Sequence, residues 1–138
     1  MVSKPMLLYL LISLVKRNGA DFVKIKRYGT RERMSAVNEH NGVLYLAGKT
    51  AADKSVGAAE QTRQILADLE NILNEHGSDK HHMLSALIHL DNFADFDEMN
   101  SVWDKWVELG TAPARTCVGG VTMAAGSLVE ITVIAAKK

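Results

Sequence analysis

The sequence has little of several features that would mark other classes of protein. Its single cysteine, Cys117, rules out an internal disulfide and a cysteine-rich secreted scaffold. Two prolines and ten glycines in 138 residues are too few for a disordered or low-complexity chain. No apolar run reaches the roughly 20 residues that a membrane-spanning helix needs. The chain has the length of one domain, and 47% of its residues are hydrophobic, which is enough to bury a core.

Familiar motifs of catalysis and cofactor binding are also missing. The chain has no P-loop, no dinucleotide-binding glycine pattern, no HExxH, no GxSxG and no CxxC. His81 and His82 are adjacent, and neighbouring side chains on a strand point to opposite faces, so they cannot chelate one metal ion together. We therefore expect neither a metal nor a cofactor.

Charge is unevenly divided along a chain whose formal net charge is zero. Residues 1–33 hold eight basic and two acidic side chains, a net charge of +6, so residues 34–138 carry −6. Nucleic-acid binding requires basic side chains that neutralise phosphates. The acidic remainder of the chain therefore argues against a nucleic-acid partner.

Residues 1–23 form an N-terminal extension whose role the sequence leaves open. Residues 6–15 are an apolar run with Lys4 before it and Lys16-Arg17 directly after it. The run is too short for stable membrane insertion, and the basic residues after it make a poor signal-peptide cleavage site. Three interpretations remain: an unstructured or upstream-start extension, a targeting or membrane-surface segment, or a packed extra helix. We expect a cytoplasmic protein, with targeting left open by this segment.

Residues 24–138 predict an α+β domain with the element order βββαβαββ. A short strand over residues 24–28 precedes two strand-like runs, 35–40 and 43–47, which flank Asn41-Gly42. This dipeptide favours a type I′ hairpin turn, in which both central residues need positive φ. Two final strands are predicted over residues 114–118 and 128–135.

Two helices and a central strand complete the predicted domain. Ser55 is expected to cap a helix that ends near His76 and is terminated by Gly77. The run His82–Leu90 is apolar on both faces, which favours a central strand. A second helix is predicted from Asp95 to Leu109. Both helices are expected on one face of a single mixed sheet, so the other, apolar face indicates a homo-oligomer.

Arg115 and Glu130 are the two charged residues of most interest. Glu130 interrupts the apolar final strand, and Arg115 opens the strand before it. We expect these strands to pair in an antiparallel manner and bring the two side chains together. A charge within an apolar strand is rarely left unpaired. The pair is interpreted either as a structural ion pair or as a site that grips a substrate carboxylate and handles a water molecule.

Several sequence blocks resemble the Rid (YjgF/UK114) family in the same order. They include VNEHNGVLYLAG at 37–48, FDEMNSVWDKW at 96–106, PAR at 113–115 and LVEI at 128–131, and the resemblance covers residues 24–138. It implies a chorismate-mutase-like fold and a homotrimer with active sites in the clefts between subunits. The implied activity is the cofactor-free hydrolysis of reactive 2-imino acids, or their enamine tautomers, to 2-keto acids and ammonia.

The resemblance also implies roles for individual residues. Arg115 stands at the position that binds the substrate carboxylate, and Glu130 at the position that orients or deprotonates the attacking water. Gly48 stands where the backbone approaches the substrate, and Cys117 where a side chain lines the pocket. Asn100 matches a helix asparagine with a structural role.

Two positions depart from the family pattern. Met34 replaces an aromatic residue, and Ala47 replaces a hydroxyl residue directly before Gly48. Both changes alter the expected pocket wall and so the substrate preference. The family is also associated with ribonuclease or translation-inhibitor activity and with ligand binding without catalysis, and these remain the competing interpretations.

Deletion of residues 1–23 is expected to leave the remaining domain folded and active, because the predicted core begins after them. Circular dichroism, thermal unfolding and the activity assay described below, each on the full-length and shortened chains, check this. An insoluble shortened chain would contradict it.

Overall fold

The computed structural model of the protein describes residues 3–11 and 24–138. Within these ranges there are three α-helices and seven strands, and no helix is long and apolar enough to cross a membrane. The elements are α1 (residues 4–11), β1 (Lys26–Tyr28), β2 (Val37–His40), β3 (Val43–Leu46), β4 (Lys49–Thr50), α2 (Ala58–Glu75), β5 (Met83–Leu90), α3 (Phe96–Trp106), β6 (Ala114–Val118) and β7 (Val129–Ala136). Short 3₁₀ turns at Lys80–His82 and Phe93–Asp95 precede β5 and α3.

One mixed sheet contains all seven strands, in the order β1-β2-β3-β7-β5-β6, with β4 also beside β7. The pair β5–β6 is parallel and every other pair is antiparallel. The helix α3 makes the crossover between the parallel strands, which no tight turn can join. The predicted α+β class is confirmed, and β4 is the one strand added to the predicted order.

The hairpin predicted around Asn41-Gly42 is present. His40 pairs with Val43, so the two residues between them form the whole connection. Their φ angles are +52° and +72°, in the left-handed region that a type I′ turn requires and that glycine and asparagine tolerate best.

The predicted helix ends need correction. Helix α2 begins after Gly57, and the Ser55 hydroxyl instead donates a hydrogen bond to Asp53 at 2.6 Å, so the predicted cap is wrong. Helix α3 ends at Trp106 rather than near Leu109, because the backbone turns extended at Val107. The Asp95 side chain makes no capping hydrogen bond. Gly77, with φ +77°, follows α2 as predicted.

The core lies between one face of the sheet and the helices α2 and α3. The apolar stripe of α2 packs there through fully buried leucine and isoleucine side chains (Ile65, Leu66, Leu69 and Leu73), and α3 contributes Met99 and Trp103. Opposite them lie three cross-strand pairs of β5 and β7: Ala86 with Val133, Ile88 with Ile131, and Leu90 with Val129. These rows give the domain its continuous apolar interior.

Gln61 is a fully buried polar residue on the first turn of α2. Its side-chain amide donates to the carbonyls of Val56 at 3.0 Å and Gly126 at 2.9 Å, and its oxygen accepts from the Leu128 amide at 3.0 Å. One side chain thereby joins the loop before α2 to the loop before β7. Its burial is tolerated because its polar groups are paired.

The other face of the sheet, here called the open face, carries exposed apolar side chains. Tyr45, Leu87 and Val118 lie on it with 46%, 37% and 38% of their surfaces exposed. The prediction that β5 lies inside the sheet is correct, but residues 3–11 and 24–138 cover only one of its faces. An apolar face of this kind is typical of an association surface.

Helix α1 consists largely of apolar residues, and every one of its residues is exposed. The rest of the apolar run, residues 12–15, lies outside the described residues. The three interpretations of the extension therefore stay predictions.

Replacement of Gln61 by alanine is expected to lower the free energy of unfolding by roughly 2–4 kcal/mol, because it removes three hydrogen bonds to backbone groups of two loops and empties a fully buried position. Urea unfolding measures the change. The matched control is Gln64→Ala, which removes one hydrogen bond to the exposed Asp53 amide and should cost less than about 1 kcal/mol. Equal losses in the two variants would show that the Gln61 contacts do not hold the loops.

Burial of the open face between copies predicts an oligomer at micromolar concentration. Sedimentation velocity should give a mass above 15.1 kDa, and Leu87→Glu, in the middle of that face, should shift the protein towards the monomer. Leu109→Glu changes a fully exposed leucine outside the sheet and should leave the mass unchanged. A monomeric wild-type protein would contradict the prediction.

Candidate functional site

Arg115 and Glu130 do not lie on paired strands. Strand β5 lies between β6 and β7, so the predicted antiparallel pairing of the last two strands is wrong. Arg115 pairs with Ala86 of β5, whereas Glu130 pairs with His89 of the same strand. The reason is burial: β5 and β7 are both eight residues long, and their pairing covers the three apolar rows of the core.

The two charged residues also lie on opposite faces of the sheet. Directly paired residues share a face, and Ala86 is buried under the helices, so Arg115 belongs to the helix-covered face. Glu130 alternates with the buried Val129 and Ile131 and therefore lies on the open face. One copy of the chain does not bring these two side chains together.

The Arg115 guanidinium is held by helix α3. Its Nη1 donates a hydrogen bond to the Asn100 side-chain oxygen at 2.8 Å, and its Cζ lies 5.3 Å from the centre of the Trp103 ring. It forms no ion pair with an acidic side chain of residues 3–11 or 24–138. The structural ion pair with Glu130 is therefore not formed within the chain, and the positive charge of Arg115 is oriented but not neutralised there.

Asn100 has a more specific role than sequence reasoning gave it. Asn100 and Trp103 are three residues apart on α3, so they share one side of the helix and contact the guanidinium from there. The sequence FDEMNSVWDKW already indicated that Asn100 and Trp103 lie on the same side of a helix, because residues i and i+3 are neighbours on its surface. One residue packed against that side can therefore contact both. Only the tertiary structure shows that the neighbour is Arg115.

Cys117 lies two residues after Arg115 on the same face of β6 and packs against the core. Burial raises the pKa of its thiol, and the nearby positive charge of Arg115 offsets part of that rise. A raised pKa keeps the thiol protonated and poorly nucleophilic. Cys117 is therefore a poor candidate for a nucleophile, and its role as a pocket-lining residue stays a prediction.

Glu130 and Gly48 are brought together by an irregularity between β3 and β4. Tyr45 pairs with Ile134 and Lys49 pairs with Ile131 of β7. The chain advances four residues from Tyr45 to Lys49 but only three residues along β7, so the β3–β4 segment has one extra residue. Such bulges are common beside functional sites. A Cβ added at Gly48 would collide with the Glu130 carboxylate and lie 3.0 Å from the Thr132 hydroxyl. Glycine at this position therefore lets the backbone pass directly against the carboxylate.

Ala47 and Met34 are the remaining predicted pocket residues. Ala47 precedes Gly48 in the bulge, and its amide donates to the Ala36 carbonyl at 3.0 Å. Met34 lies between β1 and β2 with half of its surface exposed. The structure therefore groups Ala47 with Gly48 and Glu130 and leaves Met34 as an exposed residue of the β1–β2 connection.

His89 is a further residue of this region. It lies on the open face directly opposite Glu130 in the β5–β7 pair. Its Nδ1 is buried and has no hydrogen-bond partner in the described part of the chain. The alternating pattern of β5 indicates on which face of the sheet His89 lies. The residue opposite His89 depends on the strand order, which the sequence does not give.

Residues 81 and 82 lie on a 3₁₀ turn rather than on a strand. His82 Nδ1 contacts Asp79 at 2.6 Å, and His81 Nδ1 contacts Glu108 at 3.2 Å. The hydrogen bond from His82 lowers the pKa of Asp79 to about 2. The two histidines thus have separate carboxylate partners.

A groove of about 350 Å³ between α2 and α3 includes neither Arg115 nor Glu130. Its floor is apolar, and the Trp106 indole nitrogen donates to Glu70 at 3.0 Å across it. Two of the polar side chains that line it, Glu70 and Trp106, are thus paired with each other, so it is a weaker candidate than the two faces around Arg115 and Glu130.

Comparisons with known proteins agree on one family. The family described as Endoribonuclease L-PSP matches residues 24–137. A RutC family protein from Haemophilus ducreyi is 37% identical over 112 residues, which cover 81% of this chain and 96% of that protein. The RutC family protein YoaB from Escherichia coli is 38% identical over 81% of this chain and 97% of its own length.

A solved structure shows the same fold. The crystal structure of a YjgF family member from Neisseria meningitidis superposes with a TM-score of 0.79 and 40% sequence identity, covering 85% of this chain and 98% of that one. From residue 24 onward, the chain therefore belongs to the Endoribonuclease L-PSP family, which is the Rid (YjgF) family that its sequence blocks resemble.

Proposed function

We propose that the protein hydrolyses reactive 2-imino acids, or their enamine tautomers, to 2-keto acids and ammonia in the cytoplasm. The observation that carries the proposal is the Arg115 guanidinium, which α3 orients without an acidic partner in the described chain. A guanidinium in this state suits a small substrate carboxylate, which it can bind through two parallel, charge-assisted hydrogen bonds. Family membership supports the same reading.

The site is proposed to form between copies of the chain. Arg115 lies on the helix-covered face of the edge strand β6, whereas Glu130 and Gly48 lie on or beside the open face. Both can contact one small molecule only if the β6 edge of one copy approaches the open face of another. A contact between two different surfaces is heterologous, and such contacts form a closed ring when the rotation between copies closes. A ring of three copies would be the homotrimer implied by the family resemblance.

The chemistry requires modest help from the protein. Water adds to the imine carbon, the nitrogen takes up a proton, and the resulting carbinolamine collapses to the keto acid as ammonia leaves. General acid–base assistance of about 10²–10⁴-fold corresponds to roughly 3–5 kcal/mol. One oriented water and one bound carboxylate are enough for that acceleration, and the hydrolysis transfers no electrons to a cofactor.

Glu130 is assigned to the water. Carboxylates are weak bases at neutral pH, so orientation of the nucleophile is a more suitable role than full deprotonation. Glycine at position 48 leaves room for the Glu130 carboxylate, because an added Cβ there would collide with it. We propose that the Gly48 backbone forms part of the pocket wall. Ala47 lacks the hydroxyl expected at its position, and we propose that this change shifts the substrate preference towards less polar imino acids.

Two competing functions remain to be separated from this one. Ligand binding without catalysis would use the same Arg115 site, so only turnover distinguishes it. RNA cleavage is suggested by the name of the family, but the net charge of −6 on residues 34–138 disfavours a polyanion.

The decay of an imine in the presence of the protein tests the proposal. An amino-acid oxidase generates the 2-imino acid, and semicarbazide traps whatever remains. Wild-type protein should accelerate decay, and Arg115→Ala should lower kcat/KM by about 10²-fold, because it removes charge-assisted hydrogen bonds to the substrate. Glu130→Gln should reduce kcat by at least about tenfold and affect KM less.

Arg63→Ala is the matched control, since Arg63 is an exposed arginine of α2 paired with Glu60. It should leave kcat/KM unchanged. No acceleration by the wild-type protein, or equal acceleration by Arg115→Ala, would exclude the mechanism. Cleavage of RNA without any effect on imine decay would favour the ribonuclease instead.

A further inference from the structure

Helix α1 exposes a continuous apolar surface. Each residue from Met6 to Leu11 is apolar or aromatic, and each has between 47% and 76% of its surface exposed. Six consecutive residues of this kind cover the whole circumference of a helix that has 3.6 residues per turn. No side of this part of α1 is therefore polar, and an exposed apolar surface of this kind marks a contact with a partner.

The length of the apolar run limits what can cover it. The run occupies residues 6–15, about half of the roughly 20 residues that span a bilayer. Runs of roughly 10–14 residues occur as packed core helices, as signal-peptide cores or as segments at a membrane interface. All described residues of α1 are exposed rather than packed, and Lys16-Arg17 make a poor cleavage site. A segment at a membrane interface agrees with both observations.

Basic side chains border the run on both sides. Lys4 precedes it, and Lys16-Arg17 follow it directly. Residues 24–33 add five more basic side chains, all exposed: Lys24, Lys26, Arg27, Arg31 and Arg33. Lysine and arginine next to an apolar segment can place their aliphatic stems along it while their charges reach anionic lipid headgroups. The net charge of +6 on residues 1–33 therefore complements an anionic membrane surface.

A basic groove lies where the chain enters the domain. It has a volume of about 260 Å³ and is lined by lysines from distant parts of the chain: Lys24, Lys26, Lys137 and Lys138. Among the described residues, Glu39 is the one acidic side chain that lines it, and Lys137 pairs with it at 3.1 Å. Lys24 forms no ion pair with an acidic side chain of residues 3–11 or 24–138. The groove thus offers positive charge to a lipid phosphate directly after the extension.

We propose that α1 and this basic groove attach the protein reversibly to an anionic membrane surface. The apolar side chains of α1 enter the boundary between headgroups and acyl chains, and the lysines of the groove lie against the headgroups. A short apolar segment binds weakly by itself, and a basic patch beside it supplies the second attraction. Acyl chains can surround α1 on all sides, whereas a groove on a protein covers one side of a helix.

The charge distribution also gives the attached protein an orientation. Residues 34–138 carry a net charge of −6, which anionic lipids repel. The domain therefore projects away from the surface, with its basic groove towards the lipid. The inference goes beyond imine hydrolysis and does not depend on it.

Flotation of the full-length protein with lipid vesicles tests the attachment. The protein should float with vesicles of phosphatidylcholine and phosphatidylserine in a ratio of about 7:3, and bind vesicles of phosphatidylcholine alone at least about tenfold more weakly. An increase in ionic strength from about 0.1 M to about 0.5 M should weaken binding to the anionic vesicles by a similar factor, because salt screens the basic side chains.

Two variants separate the apolar part of the attraction from the basic part. Leu8→Glu places a charge on a leucine that is 61% exposed and should weaken binding to the anionic vesicles at least about tenfold. The matched control Leu109→Glu makes the same change at a fully exposed leucine of the domain and should bind like the wild type.

The double variant Lys24→Gln with Lys26→Gln removes two charges from the basic groove. Its binding to the anionic vesicles should weaken roughly tenfold, and its remaining binding should depend less on salt. Lys105→Gln changes an exposed lysine of α3 and should retain the wild-type affinity.

A depth measurement shows which part of the protein enters the lipid. Tyr9→Trp places a fluorescent side chain on α1, and brominated acyl chains should quench its emission when the anionic vesicles are added. The emission of Trp103 and Trp106 in the wild-type protein should stay unchanged, because both belong to the packed domain.

Three results would overturn the inference. The first is absence of binding to the anionic vesicles, and the second is equal binding by Leu8→Glu and the wild type. The third is a lower mass of Leu8→Glu in sedimentation without lipid, which would show that α1 is covered by a second copy of the chain. Loss of imine hydrolysis in any of these variants would bear on the proposed function and not on the attachment.

Discussion

The pairing of β5 with β7 is the constraint on which the rest of the structure depends. Both strands are eight residues long, and their buried rows form the part of the sheet on which α2 and α3 pack. This register fixes the face of every residue on the two strands, because a shift by one residue would move the apolar set to the other side. The positions of Arg115, Glu130 and His89 all follow from it.

The same constraint explains why one copy of the chain does not bring Arg115 and Glu130 together. With the helices on one face, Arg115 is oriented by Asn100 and Trp103, while Glu130 is directed away from it on the open face. A charged pair within one chain would have neutralised both groups and left nothing for a substrate. Separation onto two faces keeps the guanidinium available and makes the proposed site depend on association.

Local irregularity and polar burial occur where they serve this arrangement. The extra residue between β3 and β4 brings the Gly48 backbone against Glu130, and a side chain at Gly48 would displace the carboxylate. Gln61 joins the loops at the end of the sheet from which β7 begins and so supports the start of the strand that carries Glu130. Gly48 and Leu128, whose amide donates to Gln61, both lie within sequence blocks that resemble the family, which gives those blocks a physical meaning.

Local patterns in the sequence determined much of this protein. Asn41-Gly42 specified its hairpin, the apolar stripe of α2 specified the packed helix, and the apolar final strand marked Glu130 as exceptional, because turn geometry and side-chain periodicity act over a few residues. Long-range pairing was decided only by the tertiary structure. The strands β6 and β7 are consecutive in the chain, but burial of the apolar rows of β5 and β7 pairs β7 with β5 instead. This pairing separates Arg115 from Glu130, leaves Arg115 in contact with Asn100 and sets His89 opposite Glu130 in the strand register. Such contacts join residues that are far apart in sequence. They are determined by the free energy of burying the whole sheet, and local sequence preferences do not specify them.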